Sequence, residues 1–209
     1  MTRPLPEYHQ KVAATNRTAI LDAATALFLD SGYDRTSLSR VAADAGVSKA
    51  TLFKQFATKA QLFETAVLAA GGPRGREVID PPAGNFSEGL VDLGCTYAEL
   101  LRRPQMIALM RVLVAESPRF PELRERTFDF GTLPVLSALR RFLEAQDDAG
   151  TATIDDPDVA SSQFLGMIAT TVFWPYLVHG DWSLTEAEVR KVVDEAARTI
   201  TARYASPSS

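Results

Sequence analysis

The chain has very little cysteine and very little histidine. Cys95 stands alone among 209 residues, so no intrachain disulfide can form, and a lone thiol suits a reducing compartment. His9 and His179 are the only histidines, and no Cys/His spacing matches a zinc site. Catalytic signatures are missing as well: there is no Gly-x-Ser-x-Gly elbow, no Walker loop and no Glu-x-x-His pair. A nucleophile needs a base and an orienting group, and these residues do not furnish them. The expectation is a protein that is not an enzyme and needs no cofactor or metal.

Membrane-spanning runs are lacking too. The segment from Val159 to Gly180 has no Asp, Glu, Lys or Arg. It does contain Ser161, Ser162, Gln163, Thr170, Thr171 and Pro175, and it is flanked by Asp158 and Asp181 rather than by basic anchors. The first residues, Met1-Thr2-Arg3-Pro4-Leu5-Pro6-Glu7, have no apolar core of the signal-peptide kind. Both features point to a cytoplasmic protein without a membrane partner.

Excess positive charge is absent overall, since the net charge is −4. Its distribution is uneven. Residues 1–60 hold eight Lys/Arg against five Asp/Glu, so this head is +3 and the remainder −7. A basic head on an acidic body suggests that the head meets an anion.

What the chain has in abundance is helical period. Ile20, Ala23, Ala24, Leu27 and Phe28 fall on one face, and Gly32 is a stop signal. Thr36 or Ser37 caps a second helix with Leu38, Val41, Ala42 and Ala45 on its apolar side, ended by Gly46. Ser48 caps a third, and Thr58 a fourth with Leu62, Phe63, Ala66, Val67 and Ala70. Gly71-Gly72-Pro73-Arg74-Gly75 breaks the pattern, and an irregular connection with Pro81, Pro82 and Gly84 follows. Further helical stripes run to about Arg203, the last opened by Thr185 and Glu188 as a capping box. No strand pattern is evident. The fold class expected is all-α: a flexible arm over 1–14, a three-helix helix-turn-helix domain over 15–70, a helical bundle over 71–205, and a disordered tail over 206–209.

The third helix is short, and an isolated helix of two turns is unstable in water. Leu52, Phe53 and Phe56 are expected to cluster against the preceding helices, leaving Ala50, Thr51, Lys54 and Gln55 outward. The brief turn Ala45-Gly46-Val47 makes the pair a helix-turn-helix. Its outer face suits a DNA major groove. Ala50 permits close approach, and Thr51 suits phosphate or a thymine methyl. Lys54 can donate to guanine and Gln55 can pair with adenine. The helix starts at Thr36, Ser37 and Ser48 offer backbone N–H groups to phosphate, and Arg17 and Lys59 add charge.

Residues 37–63, Ser-Leu-Ser-Arg-Val-Ala-Ala-Asp-Ala-Gly-Val-Ser-Lys-Ala-Thr-Leu-Phe-Lys-Gln-Phe-Ala-Thr-Lys-Ala-Gln-Leu-Phe, resemble the DNA-binding signature of TetR-family regulators, and Ala-Leu-Phe-Leu-Asp-Ser-Gly-Tyr at 26–33 resembles the first helix. The resemblance covers about residues 15–65 and adds Lys49 and Phe53 to the implied DNA contacts. The chain departs from the family's usual Val-Ser-Lys-Gly-Thr-Leu-Tyr run at Ala50, where glycine is common, and at Phe53, where tyrosine usually donates to a phosphate. Ala-Glu-Ser-Pro-Arg-Phe-Pro-Glu-Leu at 115–123 and Asp-Asp-Pro at 155–157 resemble the ligand domain of the AefR-like branch. The resemblance implies a homodimeric repressor that binds a palindromic operator in double-stranded DNA and responds to a small, largely apolar effector. An activator, or a factor regulated by a protein instead, is the alternative.

In the second half, the run between Phe164 and Val178 is apolar nearly all round, so a helix there needs burial on several sides. A second copy of the chain across a two-fold axis would provide it, with the last helix alongside. Candidate ligand-binding residues are Phe86, Tyr97, Met106, Met110, Phe128, Met167, Phe173 and Trp174, with Phe130 and Tyr176 nearby in kind. Pockets between helices are mostly apolar, and methionine adapts to varied shapes. Arg111, in Ala-Leu-Met-Arg-Val-Leu-Val, would suit a ligand carboxylate.

Overall fold

The computed structural model describes residues 7–71, 85–123 and 134–206. These are helical: α1 (Glu7–Arg35), α2 (Leu38–Asp44), α3 (Lys49–Gln55), α4 (Lys59–Gly71), α5 (Phe86–Leu101), α6 (Pro104–Glu116), α7 (Pro134–Asp148), α8 (Pro157–Val172), α9 (Trp174–Val178) and α10 (Glu186–Tyr204). No strand occurs among the described residues; one isolated bridge joins Ala152 to Ala205. No described helix is long and apolar enough to cross a membrane.

Two compact units result. The first draws on Met1–Ala70 and Ala108–Asp129, the second on Gly71–Ile107 and Phe130–Ser209. The C-terminal part of α6 therefore clusters with the head, whereas the sequence reading put everything from 71 onward in the body. The expected arm also differs, because Glu7–Ala14 already belongs to α1. Lys11, Val12, Ala13 and Ala14 are exposed, so they carry no buried stripe from which a helix could be read.

In the first unit, Ile20, Ala24 and Phe28 of α1 and Leu62 and Phe63 of α4 are fully buried, with Val41 of α2 and Leu52 of α3. The Phe63 ring meets Phe28 edge-on at 4.9 Å and Tyr33 at 5.6 Å, and Phe120 meets Tyr33 at 5.1 Å. Such edge-to-face pairs add about 0.5–1.5 kcal/mol each beyond burial. Helical backbone breaks at Gly32, where φ is +76°.

In the second unit, α5 is central and packs against α7, α8 and α10. Its flat spot is Gly94: a Cβ there would lie 2.7 Å from Val193 Cγ1 and 2.9 Å from the Phe164 ring. Only glycine lets α8 and α10 approach this closely. Asp156 caps α8 through the Asp158 and Val159 N–H groups, with Pro157 following. The capping box at Thr185 and Glu188 opens α10. Arg102, at the end of α5, donates to Glu186 Oε1 at 2.8 Å and to the Leu184 carbonyl at 3.0 Å.

The segment from Phe164 to Val178 is not one continuous helix. α8 ends at Val172 and α9 begins at Trp174, with Phe173 between them. Pro175 has no N–H to continue the ladder, so the chain turns there and tucks Phe173 inward.

Candidate nucleic-acid interface

α2 and α3 are each seven residues long, and local hydrogen bonds set their starts. Ser37 accepts from Arg40 N at 3.2 Å and Ser48 from Thr51 N at 3.1 Å, both at extended φ/ψ. Between the helices Gly46 takes φ +66°, a left-handed conformation that a side chain would strain. Its N–H returns to the Ala43 carbonyl and that of Val47 to Ala42, closing the turn.

At about 100° per residue, Leu52 and Phe56 point the same way, and both are fully buried. Going round from Phe56, the side chains follow in the order Lys49, Phe53, Ala50, Lys54. All four are exposed. Thr51 and Gln55 occupy the opposite flank and are half-buried.

Of the four side chains expected outward, Ala50 and Lys54 are free of the core. The other two are engaged. Thr51 Oγ1 shares a 2.9 Å hydrogen bond with Ser48 Oγ, and Gln55 Nε2 donates to the Ala13 carbonyl of α1 at 3.3 Å. The early start of α1, unread in the sequence, supplies that carbonyl. Phe53 does not join Leu52 and Phe56: half its surface, 51%, is exposed. It lies about 100° from Leu52, beyond the reach of the core that α1 and α2 build.

Thr36 is corrected from helix start to core residue. It is 2% exposed, and its hydroxyl donates to the Leu27 and Gly32 carbonyls at 3.1 and 2.8 Å. It closes the end of α1, and the cap of α2 is Ser37. Arg17 holds its guanidinium 4.6 Å from the centre of the Phe56 ring, at the end of α3.

Lys59, at the start of α4, turns inward. Its Nζ donates to the carbonyls of Tyr33 at 2.9 Å and Asp34 at 3.1 Å, and sits over the Tyr33 ring. Burial lowers its pKa, opposed by the charges of Asp34, Glu122 and Glu116. Arg119 bridges Asp34 at 3.1 Å and Glu116 at 3.5 Å, and the Tyr33 hydroxyl donates to Glu122 at 3.4 Å. No local period in the sequence foretells this cluster, since its members are up to 89 residues apart.

The ligand candidates are scattered. Phe86, Met106 and Phe173 are buried in the second unit. Phe86 stacks on Phe142 at 6.1 Å, and Phe173 meets Trp174 edge-on at 5.5 Å. Tyr97 and Met167 are half-buried, and burial pushes the Tyr97 phenol up to about 12. Met110 is buried and Arg111 exposed, and both belong to the first unit. Trp174, 55% exposed, faces outward, because the chain turns at Phe173. Phe128 and Phe130 lie outside the described residues. A cavity of about 210 Å³ in the second unit is lined by Arg102, Val172, Tyr176, Trp182, Ser183 and Leu184, of which only Tyr176 was anticipated. Burial raises the pKa of Cys95, which disfavours the thiolate.

Comparison with known proteins bears on both units. Residues 20–66 match the family of bacterial regulatory proteins, tetR family, and residues 88–206 match the AefR-like transcriptional repressor C-terminal domain. An uncharacterized HTH-type transcriptional regulator of Mycobacterium tuberculosis is 36% identical over 111 residues, 52% of this chain and 51% of the relative. The match thus spans about half the length of that curated relative. The DNA-binding transcriptional repressor TetR of Mycobacteroides abscessus is 30% identical over 134 residues, 61% of this chain and 67% of that protein. The flavonoid-responsive regulator FrrA superposes with a TM-score of 0.72 at 28% identity, covering 92% of this chain and 98% of FrrA. The two matched regions place this chain in the TetR family of helix-turn-helix transcriptional regulators, with a C-terminal domain of the AefR-like type.

Proposed function

We propose that the chain is a homodimeric repressor that grips a palindromic operator through α3 and releases it when a small, largely apolar molecule occupies the helical body. The observation that carries the reading is the face of α3. Lys49, Phe53, Ala50 and Lys54 are exposed together on a helix held from behind by Leu52 and Phe56. A helix so anchored fits a major groove, with lysines for phosphate or guanine and a small residue for close approach.

Dimerisation is supported by the stripe Val159, Ser162, Gly166, Thr170, Trp174 and Val178. All are exposed; the first four recur every three or four residues along α8, and the last two stand four apart on α9. Small residues allow helices to approach closely, and the apolar ones need cover. For effector control, the support is the apolar interior of the body and the likeness to a regulator described as flavonoid-responsive. By linkage, a ligand that weakens DNA binding is itself bound more weakly by the DNA complex.

Selection of bound duplexes from a random pool tests the reading. Enriched sites with two inverted half-sites at fixed spacing are expected. A pool that stays random, with no salt-sensitive complex, refutes it. Native mass spectrometry of the protein from its host should reveal a co-purified small molecule. Recovery of a stoichiometric protein partner instead would favour protein regulation.

A further inference from the structure

We infer that Phe53 is a specificity-determining residue: with Ala50 it forms an apolar contact for a thymine 5-methyl group, so each half-site carries one thymine read by its methyl. The inference rests on the DNA-binding reading above and narrows it to one chemical group.

Three observations lead to it. The first is exposure. Phe53 leaves 51% of its surface in water, on a helix whose other large apolar residues, Leu52 and Phe56, are fully buried. The second is neighbourhood. Ala50 precedes Phe53 by three residues, so the two lie side by side on one helix face, and both are exposed. Lys49 and Lys54 flank the pair. An apolar spot between two cations matches an apolar group on an otherwise anionic partner. In a duplex that group is the thymine methyl, which projects into the major groove. The third observation concerns the polar readers. Thr51 is bonded to Ser48, and the amide of Gln55 is held by the Ala13 carbonyl. The side chains best suited to hydrogen-bond a base edge are thus engaged within the protein, and the free arc of α3 is apolar at its centre. The face also continues the helix-turn-helix surface already described, so no separate partner is needed to cover it.

The test uses the selected operator with each thymine replaced in turn by deoxyuridine, which deletes the methyl and leaves base pairing unchanged. The wild-type protein should lose about fourfold in affinity at one thymine per half-site, and roughly fifteenfold when both half-sites are changed, as expected for a methyl group's worth of lost burial. Phe53→Ala should bind the thymine and uracil operators alike, and Phe53→Leu should retain part of the difference. Because Phe53 is half exposed, the alanine variant should melt within a few degrees of wild type. If wild-type protein selects an operator yet tolerates uracil at every thymine, the inference fails while the DNA-binding reading survives. Discrimination that persists in Phe53→Ala overturns it equally. Absence of any sequence-selective complex sinks the underlying reading instead.

Discussion

Large apolar side chains stand in water both on α3 and along α8 and α9, and the surroundings of these two surfaces differ. On α3, Phe53 stands between Lys49 and Lys54. On α8, Val159 is 47% exposed and Ser162, Gly166 and Thr170 follow it in the open; on α9, Trp174 and Val178 are 55% and 73% exposed. Hydrophobic burial favours covering both, and it has no direction of its own. The neighbours supply the direction. Cations beside an apolar spot exclude a second copy of the same spot, because like charges would meet. Small uncharged neighbours admit a second copy and allow helices to approach closely. In the function proposed above, one driving force is aimed at nucleic acid in the head and at a second copy of the chain in the body.

The comparison can be broken most forcefully from beneath. Phe56→Ala removes a fully buried ring from behind α3 and should cost about 3–5 kcal/mol of head stability. Calorimetry should show early melting of the head, with loss of all DNA binding. Retention of a selective complex would mean that α3 does not depend on its buried side.

Next comes the self-association face. Trp174→Ser combined with Val178→Asp should convert a dimer to a monomer at micromolar concentration, since a buried interface tryptophan commonly carries about 2 kcal/mol or more. Sedimentation velocity measures this, and an unchanged dimer would remove the contrast between the two surfaces. Gly94→Ala serves as the control within the body. It should cost about 1–3 kcal/mol through overpacking against Val193 and Phe164, without altering base preference.

A finer division is expected among the lysines. Lys54→Ala should weaken operator binding by about tenfold and reduce the salt dependence of binding. Lys59→Ala should act chiefly on stability, by about 1 kcal/mol, because its ammonium is bound to the Tyr33 and Asp34 carbonyls. Titrating affinity against salt for both variants separates the roles. Equal losses in affinity with no change in melting would contradict the inward placement of Lys59.

The smallest effect is alkaline. Burial raises the Tyr97 phenol from 10.0 to about 12, so the folded chain holds its proton where the unfolded chain has lost it. This contribution is fully present below about pH 10 and declines as pH rises toward 12. Tyr97→Phe should flatten the fall in melting temperature between pH 9.5 and 11, measured against wild type.

Much of the head was legible because its signals are local. Ser48, Gly46 and Ser37 act on backbone within four residues of themselves, and the buried faces of α1 and α4 follow the helical repeat. Exposed helix leaves no such trace, and so the first turns of α1 escaped notice. Phe53 misled for a related reason: an aromatic residue next to Leu52 reads as core, although the core reaches only part of the way around α3. In the body, the apolar run to Val178 suggested one buried helix, but Pro175 divided it and left Trp174 outside. Residue kind marks pocket candidates in the sequence, but kind does not specify which helices face one another.

By itself the sequence determined that the chain is helical, where most helices begin and stop, and that a short capped helix follows a tight glycine turn. Those outcomes depend on hydrogen bonds and steric limits spanning a few residues. Only the tertiary structure decided which side chains of α3 remain available. Gln55 is engaged by a carbonyl 42 residues away, and Lys59 by carbonyls 25 and 26 residues away. Whether a polar group is free or spent depends on what folding brings beside it, and no local pattern encodes that.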